Sequence, residues 1–331
     1  MTGPLSDPLF EAARRDASRG AWGEVRASLE RDEPGTERNP SRSMLLAEAC
    51  LLTGDPRKAS RLLDGAAPLL MRSGDRPSLR KTINMQGAAA FALGTLDDAA
   101  VRWHAALAMA QTDDDVLLSA RATNNLGIVA ALKGDAEQAI TCYQRAIADY
   151  QRLGNHRGLA ESWHNMAISF RTRGELNPAE DAELRAIEFA SEMSNLRLVM
   201  MAQVGRAEVA LRRGDASWAR AMAQRAVKHF ASLPDFLLES DALRVHADAS
   251  ARMGFIIEAD RSIAQALDLA REHGHLTQEA QALQTHAQML LARGNVDGAR
   301  QTGTAAREAF SRLGSVTAAE EMAGFLAALS R

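Results

Sequence analysis

Cysteine is nearly absent from this chain of 331 residues, which holds only Cys50 and Cys142, far apart and outside any CxxC spacing. A disulfide framework and a structural zinc knuckle are thereby excluded, and two reduced thiols are expected, Cys142 as inert packing. Aromatic residues are scarce at 5%, while Ala, Leu and Arg are abundant. Helix formers have taken the place of strand formers, so the expected fold is all-α. An excess of positive charge is missing as well, with a formal net charge of -3 and a pI near 6.3. No global basic field exists to hold nucleic acid without specificity. The longest uncharged stretch, Thr82 to Leu96, is too short to span a bilayer and carries Asn84, Gln86 and glycines. Met1 to Phe10 lacks the basic-then-apolar order of a secretory leader. A cytoplasmic protein without a nucleic-acid or membrane partner is expected. Lysine is confined to Lys58, Lys81, Lys133 and Lys228 against a large excess of arginine, the bias of a GC-rich bacterial genome.

Catalytic apparatus is also lacking, since no HExxH, GxSxG, Walker loop or paired CxxC occurs. No enzyme activity, metal or cofactor is expected. His273 and His275 sit in a loop without the thiolate or carboxylate set that metal binding needs, and are read as surface histidines. Asp113, Asp114 and Asp115 begin a helix, where carboxylates cap free N–H groups. Trp103 and Trp163 fall at helical spacing among Ala and Leu, which suits core packing.

What the chain has in abundance is repetition. A glycine recurs every 40 residues at Gly54, Gly94, Gly134, Gly174, Gly214, Gly254 and Gly294, with Gly20 a further 34 residues upstream. Seven residues before each stands Ala13, Ala47, Gly87, Gly127, Ala167, Ala207, Ala247 or Ala287. Five residues after come Val25, Ala59, Ala99, Ala139, Ala179, Ala219, Ala259 and Ala299, and twelve after come Ala66, Ala106, Ala146, Ala186, Ala226, Ala266 and Ala306. Small residues at fixed points mark close crossings of antiparallel helices, where a large side chain would force the axes apart. The glycine suits a left-handed helix end, and Asp55, Asp135 and Asp215 beside it suit caps of the next helix. Pro56 and Pro178 fall in the first turn of that helix, where a missing N–H costs nothing. Each unit is therefore expected to be two amphipathic helices, with a second turn near Gly74, Asp114, Gly154, Ser194, Pro234, Gly274 and Gly314.

Asn125-Leu126-Gly127, Gly134-Asp135, Ala139-Ile140, Tyr143 and Ala146-Ile147 stand where the tetratricopeptide repeat pattern places such residues, and the chain resembles that family over nearly its whole length. The family's usual period is about 34 residues. The longer beat here is similar to the subclass found in peptide-sensing bacterial regulators and kinesin light chains. The resemblance implies a right-handed superhelical solenoid of about eight hairpins. Residues 1–39 are expected to form an N-terminal capping hairpin, 40–314 seven tandem repeats, and 315–331 a C-terminal capping helix carrying Met322, Phe325, Leu326 and Leu329.

It also implies a ligand groove lined by the first helix of each hairpin, with inward positions ten and six residues before the turn glycine and others thirteen and three before. Mapped onto this sequence, these give Lys81, Asn84, Phe91, Arg121, Asn124, Ile128, His164, Ile168 and Arg171, with Asn125 and Asn165 one position along. Two uses of the amides are open at this point. A ladder of Asn side chains can pair with the backbone of an extended peptide whatever its sequence, or it can simply bond neighbouring helices to one another. Lys81, Arg121 and Arg171 make the centre mildly basic, with Phe91, Ile128 and Ile168 as apolar floor. Glu208, Asp241 and Asp248, opposed only by Arg244, are expected to make the later groove acidic. The function implied is a non-catalytic scaffold for a protein or peptide partner. The alternative is a peptide-sensing regulatory protein that changes superhelical pitch on binding. The oligomeric state is left open.

Overall fold

The computed structural model describes residues 7–233 and 235–329, so the turn position at Pro234 and the first six residues lie outside what is described. All secondary structure among the described residues is helical. Helices pair as hairpins in chain order: α1 (Pro8–Ser18) with α2 (Trp22–Glu30), a short α3 (Glu33–Arg38), then α4 (Pro40–Leu52) with α5 (Pro56–Ser73), and α6 (Arg76–Ala92) with α7 (Leu96–Thr112). They continue with α8 (Val116–Leu132) and α9 (Ala136–Arg152), α10 (His156–Thr172) and α11 (Leu176–Glu192), α12 (Leu196–Arg213) and α13 (Ala216–Ala231). The last are α14 (Phe236–Arg252) with α15 (Ile256–Glu272), α16 (Leu276–Ala292) with α17 (Val296–Arg312), and a single α18 (Val316–Ala328). The eight hairpins and final lone helix are those the 40-residue beat predicts.

The chain divides into two compact units, residues 1–122 and 123–331, a division the sequence pattern does not announce.

The turn chemistry repeats with the sequence. Every turn glycine from Gly20 to Gly294 has positive φ, between 76° and 89°. The second turn is left-handed too, at Gly74, Gly154, Gly274 and Gly314, and the chain keeps that geometry at Asp114 (φ 54°) and Ser194 (φ 52°), where a Cβ makes it costly. Beside these turns Asp55, Asp135 and Asp215 accept from the N–H of Lys58, Gln138 and Trp218 at 2.9–3.1 Å. Asn155, Asn195 and Asn295 do the same for α10, α12 and α17. Of the three successive aspartates, Asp115 caps α8 through Leu118 N–H, and Asp113 holds Arg76 and Arg80.

The small residues sit at the helix crossings. The recurrent alanines five and twelve after the glycine are fully buried, or nearly so. A Cβ on Gly87 would stand 2.5 Å from Trp103 Nε1, and one on Gly127 2.6 Å from Tyr143 Cε1, so those two hairpins use glycine to seat an aromatic ring on the partner helix. Trp103 is core, at 2% exposure, whereas Trp163 is only half-buried.

Candidate functional site

In the second unit the first helices of successive hairpins touch one another, α10 on α12, α12 on α14 and α14 on α16, with no comparable contact between successive second helices. Elements that crowd together lie on the inside of a bend, so the first helices form the inner wall of this unit.

Two of the expected site residues, Asn124 and Asn165, meet on that wall. Asn124, 8% exposed, accepts through Oδ1 from Ser162 Oγ at 2.9 Å and from Asn165 Nδ2 at 3.4 Å. Asn124 thus bonds α8 to α10, the second of the two uses open from sequence. Asn125 and Asn165 are half-buried, as are Ile128 and Ile168. Asn165 spends one N–H on Asn124 and keeps its carbonyl and its other N–H.

His164 and Arg171 are committed elsewhere. His164 Nδ1 lies 2.9 and 3.1 Å from the two oxygens of Glu183, a carboxylate with no solvent exposure in the α10–α11 crossing. Glu183 stands nine residues after its turn glycine, where other hairpins carry Leu63, Trp103, Tyr143 and Ile263. Room for it comes from α12, where a Cβ on Gly205 would overlap the carboxylate. Burial pushes the Glu183 carboxyl up, and His164 and Arg171 offset this in part. Burial also disfavours charge on His164, but Glu183 outweighs it and raises the imidazole above its ordinary value.

From this pair an ion network runs down the wall. Arg171 Nη1 is 3.9 Å from Glu183, and its other terminal nitrogen is bonded to Glu208 on α12. Glu208 also receives Arg244 Nη2 from α14 at 2.6 Å, and Arg244 holds Asp241 at 2.6 Å. Burial opposes the charge of Glu208, but Arg171 and Arg244 hold it down at about 2. Asp248 is taken by Arg252 at 2.9 Å. The expected gradient from a basic centre to an acidic later groove is therefore corrected. Arg171, Glu208, Arg244 and Asp241 neutralise one another across the first helices of three successive hairpins, α10, α12 and α14, and none of them is a free charge.

In the first unit Lys81 and Arg121 are exposed, with no carboxylate within 4 Å among the described residues, while Asn84 and Phe91 are half-buried. Phe91 packs on Trp103 with ring centroids 5.8 Å apart, and Asn84 accepts Trp103 Nε1 on its main-chain oxygen at 3.0 Å. The side-chain oxygen of Asn84 is buried without a hydrogen-bond partner. Glu48 faces Arg121, and burial holds its carboxyl above the ordinary value despite that arginine. No group of three or more metal-ligating side chains occurs among the described residues, and none of their helices is long and apolar enough to cross a membrane. His273 instead stacks face to face on Phe236 at 3.8 Å.

Residues 118–192 match the tetratricopeptide repeat family model. None of the curated proteins matches the chain in sequence. Among solved structures, a Rap protein complexed with competence and sporulation factor is similar at a TM-score of 0.64 and 12% identity, covering 97% of this chain and 96% of that one. The Rap conjugation gene regulator of the plasmid pLS20, in complex with the Phr* peptide, gives 0.71 and 13% over 85% of this chain and 76% of that one. The apo form of the quorum sensor NprR from B. thuringiensis gives 0.55 and 12% over 98% of both chains. Identities this low establish the fold alone, an array of tetratricopeptide-like hairpins.

Proposed function

We propose, from the tetratricopeptide repeat match over residues 118–192 and the likeness of fold to solved repeat arrays, that the chain is a non-catalytic interaction protein whose inner wall captures an extended peptide or a partner helix. Folds of this family generally serve as scaffolds without chemistry of their own. The observation that carries the assignment is the state of the second unit's inner wall. Its charges are mutually neutralised, while Asn125 and Asn165 keep unspent amide valences beside the half-buried Ile128 and Ile168. Amides with a donor and an acceptor each suit the backbone of an extended segment, and the isoleucines suit its apolar side chains. In the first unit, taken by itself, Lys81, Asn84, Phe91 and Arg121 would favour an acidic segment. Asn124, His164 and Arg171 act on a partner indirectly, by holding the helices that carry the others. A cytoplasmic setting in a bacterium, with neither nucleic acid nor membrane as partner, belongs to the same proposal and rests on charge, composition and the arginine bias.

The test is affinity capture from native lysate with mass-spectrometric identification, comparing the parent with an Asn125→Ala, Asn165→Ala variant of equal helical content by circular dichroism. The variant is expected to lose the parent's partners, and a partner list unchanged by both substitutions removes the wall from the account.

A second reading, a peptide-sensing regulator that tightens around its ligand, draws on the peptide-bound Rap structures, whose fold extends over most of this chain. Small-angle scattering with and without candidate peptides separates the two, because a sensor compacts and a passive adaptor keeps its dimensions.

A further inference from the structure

The last helix makes a contact that capping alone does not require. Ser315, the N-cap residue of α18, makes no capping bond to its own helix. Its hydroxyl donates instead to the main-chain oxygen of Leu132 at 2.6 Å, 183 residues back at the end of α8. Thr317 Oγ1 donates to the oxygen of Lys133 at 3.3 Å. The two hydroxyls thus satisfy carbonyls that a helix C-terminus leaves open. Ser315 is 3% exposed, and a Cβ on Gly134 would strike the Thr317 hydroxyl, so the glycine of that turn serves both its backbone geometry and the approach of α18. Farther along α18, Glu321 supports the charge of Arg212 on α12, a helix with which α18 has no extended packing. Burial and the neighbouring Arg171 work against that guanidinium, and Glu208 and Glu321 work for it. One end of α18 is therefore fastened to the first hairpin of the unit while its flank reaches toward the ion network of the inner wall.

We infer that α18 is a releasable closure of the second unit. The Ser315 and Thr317 hydroxyls clasp it to the α8–α9 turn, and opening that clasp is what admits a partner segment to the wall carrying Asn125 and Asn165. The inference rests on the inner wall being the binding surface. A clasp of two neutral hydrogen bonds suits release, because each holds the closed form by only about fivefold. At the clasp itself Lys133, Gly134, Val316 and Thr317 are exposed, while Met322, 1% exposed, keeps α18 seated on α17, so opening parts α18 from the α8–α9 turn without uncovering the core between α17 and α18.

The test is the rate at which a cysteine on the inner wall is modified. In a full-length background with Cys50→Ala and Cys142→Ser, Ile168→Cys is treated with a maleimide carrying a long polyethylene glycol chain and, separately, with N-ethylmaleimide. Adding Ser315→Ala and Thr317→Val is expected to speed the bulky reagent by about tenfold or more, with the small reagent changed much less. Thr317→Ser alone keeps a hydroxyl and should keep the slow rate. A second reporter, Ala226→Cys on the buried face of α13, registers global unfolding and should stay unmodified. A bulky-reagent rate unchanged by the double substitution overturns the closure, and so does an equal rise at both reporters, which marks general unfolding. Neither result depends on any partner, so this test can fail while the capture experiment succeeds, and the reverse.

Discussion

Replacing His164 by Met should destabilise the protein far more than replacing His164 and Glu183 together. Among the described residues His164 is the hydrogen-bond partner of the Glu183 carboxylate, and Glu183 has no exposure to solvent. Removing one member of a buried ion pair strands the other charge in a dry site, at a cost of about 3–5 kcal/mol. Arg171, 3.9 Å away and shared with Glu208, is too committed to replace the imidazolium in full. With Glu183→Leu added, the site becomes what Leu63 makes of the equivalent position, and Met at position 164 matches Met44 of an earlier hairpin. The double variant should then lie within about 1 kcal/mol of the parent, or above it, as found when buried pairs are exchanged for apolar residues. pH adds a second readout with a definite sign. Both folded-state values are raised, Glu183 by burial and His164 by Glu183 against burial, so the folded pair binds its protons more tightly than the unfolded chain does. The stability from His164 is fully present below about pH 6.5 and is lost as pH rises through the folded value, at about 1.4 kcal/mol per unit. Glu183 acts in the same direction from about pH 4.5 upward, where ionising it in a dry site begins to cost. Arg171 and Glu208 face the pair in every variant and cancel in the difference. Urea unfolding of parent and double variant, followed by circular dichroism and by hydrogen exchange in α10 and α11, supplies both measurements. A single variant as stable as the double one, or parent and double-variant curves that run parallel between about pH 6 and pH 9, would refute the reasoning.

Two smaller perturbations test the turn and crossing arguments. Ser194→Gly should stabilise by about 0.5–1 kcal/mol in urea unfolding, because relief of a left-handed Cβ at φ 52° exceeds the entropy that glycine adds to the unfolded chain. Gly127→Ala should cost about 1–3 kcal/mol in the same assay, since the added methyl would meet the Tyr143 ring at 2.6 Å and Tyr143 is only 1% exposed, with nowhere to retreat.

The fold was legible because its constraints are local and repeat. A left-handed turn tolerates little besides glycine, and a close helix crossing tolerates little besides glycine or alanine, so both leave the same mark in every unit. The second turn was harder to see as a left-handed one, since Asp114 and Ser194 occupy it against their own preference. The inward positions were legible for the same reason as the turns, but their charge balance was not. Residue i on one first helix is level with i+40 on the next, and a partner one helical turn back lies near i+36 or i+37. Arg76 with Asp113 and Glu208 with Arg244 follow that offset, at 37 and 36 residues. Counting charges position by position made the later groove acidic, whereas counting along this diagonal would have paired Arg171, Glu208 and Arg244. Glu183 was missed through the choice of row. The position nine after the turn glycine reads Leu29, Leu63, Trp103, Tyr143, Glu183, Ala223, Ile263 and Gly303, where the lone carboxylate among core residues stands out. The clasp had no such signal. Ser315 and Thr317 look like ordinary helix-start residues, and their acceptors are main-chain oxygens, identical at every position. A contact that closes a coil on itself depends on the sum of small rotations between hairpins, and no single repeat contains that sum.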